Sequence, residues 1–306
     1  MNPRMTIVAG VMALSLVPGA GAQSGSAPAQ PESQPESQPE SQPGAASPAQ
    51  PGAEAPPVGK PKNNTIDWGP RPGIWRGEIE LPGGKPLSFN FVVAFDRDDE
   101  KNPLWHVELR NGTEVVPVEF INTHPSLTMA FSGTEARIEA TVGGTNTDMS
   151  GEYIYTNTNE QGEAVEFRLP FHADNDDPRR FAPVTGDVEI ELVPDWLVTF
   201  DDRPSPAMGH FVVLPDGINV YGSVRSPGFV DEPLVGTFEH GRLRLSRFTG
   251  AEGVLYDGTI EPDGTLIGTY RTLAHHGEGF SATPVEDGQW PEGLVQQMES
   301  SPKGRE

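Results

Sequence analysis

Hydrophobic and polar residues alternate in short runs along most of the chain from residue 67 onwards. In 74–81, and again in 86–95, an apolar side chain recurs at nearly every second position. A period of two is typical of a β-strand that buries one face and exposes the other. The pattern predicts strands in the first half near 74–81, 86–95, 103–110, 112–120, 126–131, 134–142, 149–155 and 164–171.

The second half has the same texture. It predicts strands near 188–192, 196–200, 207–214, 218–224, 234–238, 243–245, 254–260, 266–270 and 277–283. Turn sequences such as Asn111-Gly112, Pro215-Asp216-Gly217 and Pro262-Asp263-Gly264 separate several of these runs. One short helix is predicted over 292–298, with Pro291 at its N1 position. Closely spaced strands without intervening helices predict an all-β protein of antiparallel barrels, lipocalin-like in type, or of sandwiches.

The two halves also share a spaced motif. A set of phenylalanine, glycine, glutamate and tyrosine residues recurs 117 positions later with identical spacing: Phe131-x-Gly133-x-Glu135 with Gly151-x-Tyr153, and Phe248-x-Gly250-x-Glu252 with Gly268-x-Tyr270. Each half also opens on a tryptophan strand. We interpret the chain as two related β modules, 67–174 and 175–286, followed by a C-terminal tail, 287–306, that holds the helix.

One position does not fit this repeat. Met129 alternates onto the same strand face as Phe131, whereas Leu243 and Leu245 alternate onto the face opposite Phe248. Because the side-chain period of a strand is two, a β-bulge before Phe248 would bring the copies into agreement. We therefore expect a bulge at that point of the second module.

The N-terminal 66 residues have a different character. Arg4, an apolar run over 6–17 and the Ala20-Gly21-Ala22 pattern predict a signal peptide, 1–22, with cleavage before Gln23; the alternative is a buried N-terminal helix. Residues 23–66 contain Pro-Glu-Ser-Gln three times and predict a disordered linker, either a spacer or a polyproline II ligand. The expected location is therefore the periplasm or the extracellular space, with no transmembrane segment in the mature chain.

Charge and cysteine content narrow the classes of function. The chain has 21 Lys and Arg against 44 Asp and Glu, a net charge of −23, which disfavours nucleic acid and anionic lipid as partners. The excess of acid serves solubility or the binding of a cation or a basic protein. The absence of cysteine excludes a thiol nucleophile, disulfides, a thiolate metal site and a lipid-modified cysteine. No cofactor is expected.

A family resemblance rests on spaced aromatic and glycine residues. The segments that carry it are Gly73-Ile-Trp75, Leu87-Ser-Phe89-Asn-Phe91, Asn111-Gly112-Thr-Glu114, Trp196-Leu-Val-Thr-Phe200, Ala207-Met-Gly209-His-Phe211, Val235-Gly236-Thr237-Phe238, Leu243-Arg-Leu245-Ser246-Arg-Phe248-Thr-Gly250-Ala251 and Asp263-Gly264-Thr-Leu266-Ile-Gly268. Over about 70–286 the chain resembles the N-terminal β region that precedes the thioredoxin domain in TlpA-like envelope thiol–disulfide reductases. The resemblance implies a β fold and an envelope location.

The resemblance does not extend to chemistry. The family's Phe-Asp-Gly-x-His pattern has an Asp and a His where this chain has Thr249 and Glu252, and the sequence contains no Cys-x-x-Cys. The redox activity of the family therefore transfers to no residue of this chain.

Candidate metal and catalytic residues are few. Asp96, Asp98, Asp174 and Asp176 place oxygen ligands at alternating positions of two acidic loops, which suits calcium, although solvated loops explain them equally. His275-His276-Gly277-Glu278 has metal-ligand residue types but is also typical of a polar turn. Glu135 and Glu252 are a possible acid–base pair or a mere consequence of the repeat, and no serine lies in a Gly-x-Ser-x-Gly context. No catalytic residue is assigned.

The remaining candidates are aromatic. Residues expected to line a module interior are either core or a ligand site, and they are Trp75, Trp196, Phe248, Glu252 and Tyr270. The leading hypothesis is an exported, non-enzymatic β protein with a binding or assembly role at the envelope, its partner another envelope protein or a small molecule. One alternative is a lipocalin-like carrier of a small apolar or sugar-like ligand. The other is a hydrolase that uses dispersed carboxylates.

Overall fold

The chain folds into two closed β-barrels in tandem. The computed structural model describes residues 69–99, 102–158, 162–175, 177–227, 229–274 and 277–300, so the predicted signal peptide and linker lie outside the described residues. Within each barrel, every strand pairs antiparallel with its neighbours along the chain, and the first strand also pairs with the last. This closure leaves no strand edge unpaired.

The first barrel contains β1–β8 and the second contains β9–β16. The strands of the first are β1 (Gly73–Glu80), β2 (Pro86–Asp99), β3 (Asn102–Asn111), β4 (Glu114–Thr123), β5 (Ser126–Phe131), β6 (Arg137–Val142), β7 (Asp148–Thr158) and β8 (Ala164–Asp174). Those of the second are β9 (Asp195–Phe200), β10 (Ala207–Val213), β11 (Asn219–Ser226), β12 (Phe229–Glu239), β13 (Arg242–Phe248), β14 (Gly253–Ile260), β15 (Leu266–Thr272) and β16 (Glu278–Pro284). The predicted all-β class with two related antiparallel modules is confirmed, and the modules are barrels rather than sandwiches.

The predicted strand at 188–192 is wrong. This segment is extended but belongs to no sheet, because the eight strands of the second barrel already close on one another. Its alternating apolar side chains nevertheless pack against the second barrel, since Leu192 is buried and Ile190 contacts the core of that barrel. The alternation therefore indicates that this segment packs against a barrel, and not that it is a hydrogen-bonded strand of the sheet.

A short helix, α1 (Glu292–Ser300), follows the second barrel and the 3-10 turn Glu286–Gly288. The amide N–H of Val295 donates to the Pro291 carbonyl, so Pro291 is the N-cap of the helix. The prediction that Pro291 lies at N1 is therefore wrong by one position. Among the described residues no helix combines the length and hydropathy needed to cross a bilayer.

The sequence repeat corresponds strand by strand to the two barrels. Phe131 and Phe248 each end the fifth strand of their barrel, and Tyr153 and Tyr270 lie on the seventh. The opening tryptophans have matching contacts as well. The Trp75 indole N–H donates to the Arg71 carbonyl at 2.9 Å, and the Trp196 indole N–H donates to the Val193 carbonyl at 2.7 Å.

The expected β-bulge before Phe248 is absent from β13. This strand keeps an unbroken register with β12 and with β14, from Arg242 to Phe248 along the latter. Leu243 and Leu245 therefore face the interior of the second barrel, and Phe248 lies on its outer wall. The alternation was correct; the assumption that both phenylalanines line their own barrel was wrong.

Phe248 is buried because it enters the core of the first barrel. Its ring centroid lies 4.4 Å from that of Phe89, 5.5 Å from Phe131 and 5.5 Å from Tyr153, and its side chain is fully buried. Leu255 and Leu273, also from the second barrel, join the same core. The outer wall of the second barrel thus covers one end of the first.

A buried polar network surrounds this apolar contact. Arg180, from the segment that connects the barrels, is 3% exposed. Its guanidinium donates from Nε to the Ser246 hydroxyl at 2.8 Å, from Nη1 to the Arg110 carbonyl at 2.9 Å and from Nη2 to Asn111 Oδ1 at 2.9 Å. Burial lowers the pKa of the guanidinium to about 9, which leaves it charged at neutral pH. Neutral acceptors from both barrels therefore solvate one buried cation.

Candidate ligand-binding site

The residues predicted to line a ligand site lie in three different environments. Trp75 belongs to the core of the first barrel, and Trp196 and Tyr270 belong to that of the second. Phe248 lies at the contact between the barrels. Glu252 is on the surface, with 79% of its side chain exposed, so its predicted place in a module interior is wrong. The structure therefore does not bring the five residues together.

The mouth of the second barrel nearest Tyr270 is occupied by protein side chains. The Arg203 guanidinium lies 3.9 Å from the ring centroid of Phe200 and 4.6 Å from that of Tyr270. Glu278 holds it there, accepting a hydrogen bond from Arg203 Nε at 3.1 Å. A cation over two aromatic faces, neutralised by a carboxylate, closes this end of the aromatic core.

The calcium candidates are only partly placed. Asp174 accepts a hydrogen bond from Arg76 Nη2 at 2.7 Å, so a protein cation already lies against its carboxylate. The side chains of Asp96 and Asp98, and residues 176, 275 and 276, lie outside the part of the structure that is described. Within the described ranges, no three His, Asp or Glu side chains converge in an arrangement that could hold a metal ion.

A groove between the barrels is a further candidate site. It has a volume of about 450 Å³ and is open to solvent, and it is lined by Thr113, Glu114, His210, Val212, Tyr221, Gly222, Ser223 and Pro233. One wall is the turn between β3 and β4 of the first barrel, and the other is the outer face of β10–β12. We call this the inter-barrel groove.

The β3–β4 turn is anchored to the second barrel by Asn111. Its side-chain amide donates to the Phe248 carbonyl at 2.9 Å, and its Oδ1 accepts from the Phe248 N–H at 3.2 Å. Gly112 follows with φ of +65°, a conformation that favours glycine, and a Cβ at this position would lie 3.4 Å from the Tyr221 ring. The predicted Asn111-Gly112 hairpin turn is therefore present and also forms one wall of the groove.

The groove combines apolar and charged surface. Val212 is 45% exposed and Tyr221 is 41% exposed, which is high for large hydrophobic side chains. Glu114 lies beside them and accepts hydrogen bonds from Arg247 at 2.7 and 3.1 Å. Because Arg247 holds the carboxylate in place, it is oriented before any ligand arrives.

Three polar residues lie in a row across β9, β10 and β11 beside this surface. Asp195 is the cross-strand partner of His210, and His210 is the cross-strand partner of Ser223. All three face away from the barrel interior, since Trp196, Phe211 and Val224, their neighbours along each strand, belong to its core. The His210 Nδ1 and the Asp195 Oδ1 are 2.8 Å apart. Two members of the row, His210 and Ser223, line the groove.

Asp195, His210 and Ser223 match no spaced motif, so the sequence pattern does not mark them as a site. A usable signal existed in the hairpin that the Pro215-Asp216-Gly217 turn predicts. A tight turn centred there pairs Val213 with Val220 and so, further along, His210 with Ser223. The register of β9 with β10, which places Asp195 opposite His210, is instead set across the longer connection 201–206.

No known protein-family model matches the chain, and no curated protein is significantly similar to it. The resemblance to the β region of TlpA-like reductases therefore stays a prediction.

Proposed function

We propose that this protein is an exported binding protein that holds a small ligand in the inter-barrel groove. The observation that carries the proposal is the exposed Tyr221 ring beside the oriented Glu114 carboxylate and the His210 imidazole. An aromatic face next to a few fixed polar groups is typical of small-molecule sites. The docked barrels supply the rigid frame that keeps both walls in place.

The chemistry of the groove favours a neutral, hydroxyl-rich ligand with one apolar face, such as a saccharide. Tyr221 and Val212 offer the apolar face a surface to stack on. Glu114, His210 and Ser223 offer hydrogen-bond acceptors and donors at the edges. An anionic ligand is disfavoured, because Glu114 lines the groove and the whole chain carries a net charge of −23.

A carrier that holds its ligand inside a barrel has less support. The interiors are filled by large side chains with less than 2% exposure, among them Trp75, Phe89, Phe91, Tyr153 and Trp196. An eight-stranded barrel has room either for such packing or for one ligand.

Binding can be tested by saturation-transfer NMR with neutral aryl glycosides and disaccharides as probes. We expect saturation of the probe by the wild-type protein and its loss in Tyr221→Ala. The matched control is Ile267→Ala, which removes another exposed hydrophobic side chain (51%) from a different strand of the same barrel and should leave binding unchanged. Absence of binding to the wild type, or equal binding by both variants, would contradict the proposal.

Export is tested separately. N-terminal sequencing of the protein recovered from the medium or periplasm of its host should begin at Gln23. Recovery of the intact N-terminus from the cytoplasm would contradict this part of the proposal.

A further inference from the structure

We propose that Ser223, His210 and Asp195 form a nucleophile–base–orienting row that hydrolyses neutral carboxylic esters in the inter-barrel groove. This inference rests on the proposed function in one respect, that the groove receives a small ligand. It goes beyond binding because it assigns a reaction.

The first support is the order of the three groups. Nucleophilic catalysis by serine needs a base within reach of the hydroxyl and a third group that orients the base. With His210 Nδ1 donating to Asp195 Oδ1 at 2.8 Å, the acceptor nitrogen of the ring is Nε2. Directly opposed cross-strand residues have Cβ atoms about 4.5–5.5 Å apart, so the Ser223 hydroxyl and the His210 imidazole are neighbours on the outer face of the barrel.

The second support is an irregularity at Ser223 itself. The pairing of β11 with β12 shifts between Gly222 and Val224, so that two residues of β12, one of them Pro233, oppose Ser223. Such bulges re-aim side chains and disrupt the ladder locally. Both Ser223 and Pro233 line the groove.

The third support is contrast with another serine on the same barrel. Ser281 is exposed on the outer face of β16, and its cross-strand partners are Thr199 and Ile267. It therefore has neither a base nor an orienting carboxylate opposite it. Ser281 and Ser223 share the strand environment and differ in these neighbours.

The reaction is ordinary acyl transfer to water. The Ser223 oxygen attacks the ester carbonyl carbon while its proton passes to His210 Nε2. The C–O bond to the leaving alcohol then breaks, and the alcohol takes that proton. Water attacks the acyl-serine with His210 again as base, the Ser223 oxygen leaves and recovers its proton, and the acid departs. Asp195 acts through His210 as a positioning residue.

The groove limits both substrate and rate. Tyr221 and Val212 receive an apolar part of the ester, and Glu114 disfavours anionic substrates. The row is open to solvent, with His210 56% exposed. Water screens the electrostatic stabilisation that a closed site would provide, so turnover should be slow.

The test is covalent labelling of the full chain with an alkyl fluorophosphonate. Attack by an activated serine forms a P–O bond and expels fluoride, which intact mass spectrometry records as one adduct. We expect a single adduct on the wild type and on Ser281→Ala, mapped to Ser223 by peptide sequencing, and none on Ser223→Ala or His210→Gln. An unlabelled wild type, or an adduct that survives Ser223→Ala, would overturn the inference.

Hydrolysis of 4-nitrophenyl acetate tests the roles of the row. Asp195→Asn should lower kcat by about 10-fold or more with KM unchanged, because it loses the orientation of His210 and not the groove. Asp195→Glu should recover part of kcat. A change confined to KM would mean that Asp195 has only a structural role.

The two proposals can fail separately. If the wild type binds aryl glycosides in a Tyr221-dependent way but takes no label, the catalytic inference is wrong and the binding proposal stands. If Ser223 is labelled but no probe depends on Tyr221, the row is catalytic and the proposed ligand class is wrong.

Discussion

The two barrels have the same strand order and the same repeated motif, yet the motif phenylalanine serves each of them differently. Phe131 lies among the interior residues of its own barrel, next to Leu127 and Met129. Phe248, at the equivalent position, leaves its barrel and packs in the core of the other. Conserving a residue between two copies of a module therefore does not conserve the face on which it is used.

The residues that precede the two phenylalanines explain the difference. The positions equivalent to Leu127 and Met129 are Arg244 and Ser246, which are polar and point outwards from the second barrel. Both are buried all the same: Ser246 donates to the Ser88 carbonyl of the first barrel, and Arg244 lies against Phe181 and Ala182 of the segment that connects the barrels. Both faces of β13 are thereby buried, one by its own barrel and one by the neighbour.

The glycine and the tyrosine of the repeated motif also have different surroundings in the two barrels. Gly133 and Gly250 both have positive φ, but a Cβ would meet open space at Gly133 and the Phe131 ring at Gly250. Tyr153 donates its hydroxyl to the Gly250 carbonyl at 2.8 Å, and burial raises its pKa. Tyr270 instead lies beneath Arg203. Tyr153 therefore contributes to the contact between the barrels, whereas Tyr270 contributes to closing the mouth of its own barrel.

The largest effect is expected from Phe248→Ala. Loss of a fully buried ring should lower the free energy of unfolding by about 3–5 kcal/mol. It should also separate urea unfolding into two transitions, because the ring belongs to the contact between barrels. Phe131→Ala should lower stability to a similar extent and affect the first barrel directly. Phe167→Ala, on a ring 40% exposed, is the control. A single, unshifted transition for Phe248→Ala would refute the docking role.

A smaller effect is expected from Arg180→Met. The variant keeps the length of the side chain but removes the guanidinium donors to Ser246, Arg110 and Asn111. The buried acceptors that lose these donors should lower the free energy of unfolding by about 1–3 kcal/mol. Part of this loss is offset, because folding of the variant no longer removes a cation from water. Arg179→Met, at an exposed neighbouring position, should leave stability unchanged. Equal stability of both variants in urea would mean that the network contributes nothing.

The smallest effect concerns acid stability. Burial acts to raise the pKa of Asp257, but hydrogen bonds from Arg242 and from Lys85 of the first barrel outweigh it, so the pKa is lowered. A lowered folded pKa contributes stability that is present above the unfolded value, about 3.9, and lost as pH falls through the folded value. Urea unfolding of Asp257→Asn should therefore show a deficit at pH 7 that shrinks below about pH 4. A deficit independent of pH would exclude this ion pair as its source.

Much of the architecture was predictable from alternation and turn residues. The strands of the first barrel, the tandem repeat and the Asn111-Gly112 hairpin follow from local patterns, because burial of one strand face and positive φ in a turn act on neighbouring residues. The strand predicted at 188–192 was wrong because apolar alternation reports a buried face and not a pairing partner. The row of Asp195, His210 and Ser223 needed the order of strands in space.

What the sequence settles is therefore local: two all-β modules, their strands and the face that each side chain occupies. Tertiary structure alone decided that β13 is buried on both faces, that Arg180 is a buried cation and that the β3–β4 turn meets the wall of the second barrel to form a groove. The physical reason is that alternation specifies which residues must leave water, whereas the surface that covers them is supplied by residues far away in the chain, such as Asn111 and Phe248, which are 137 positions apart.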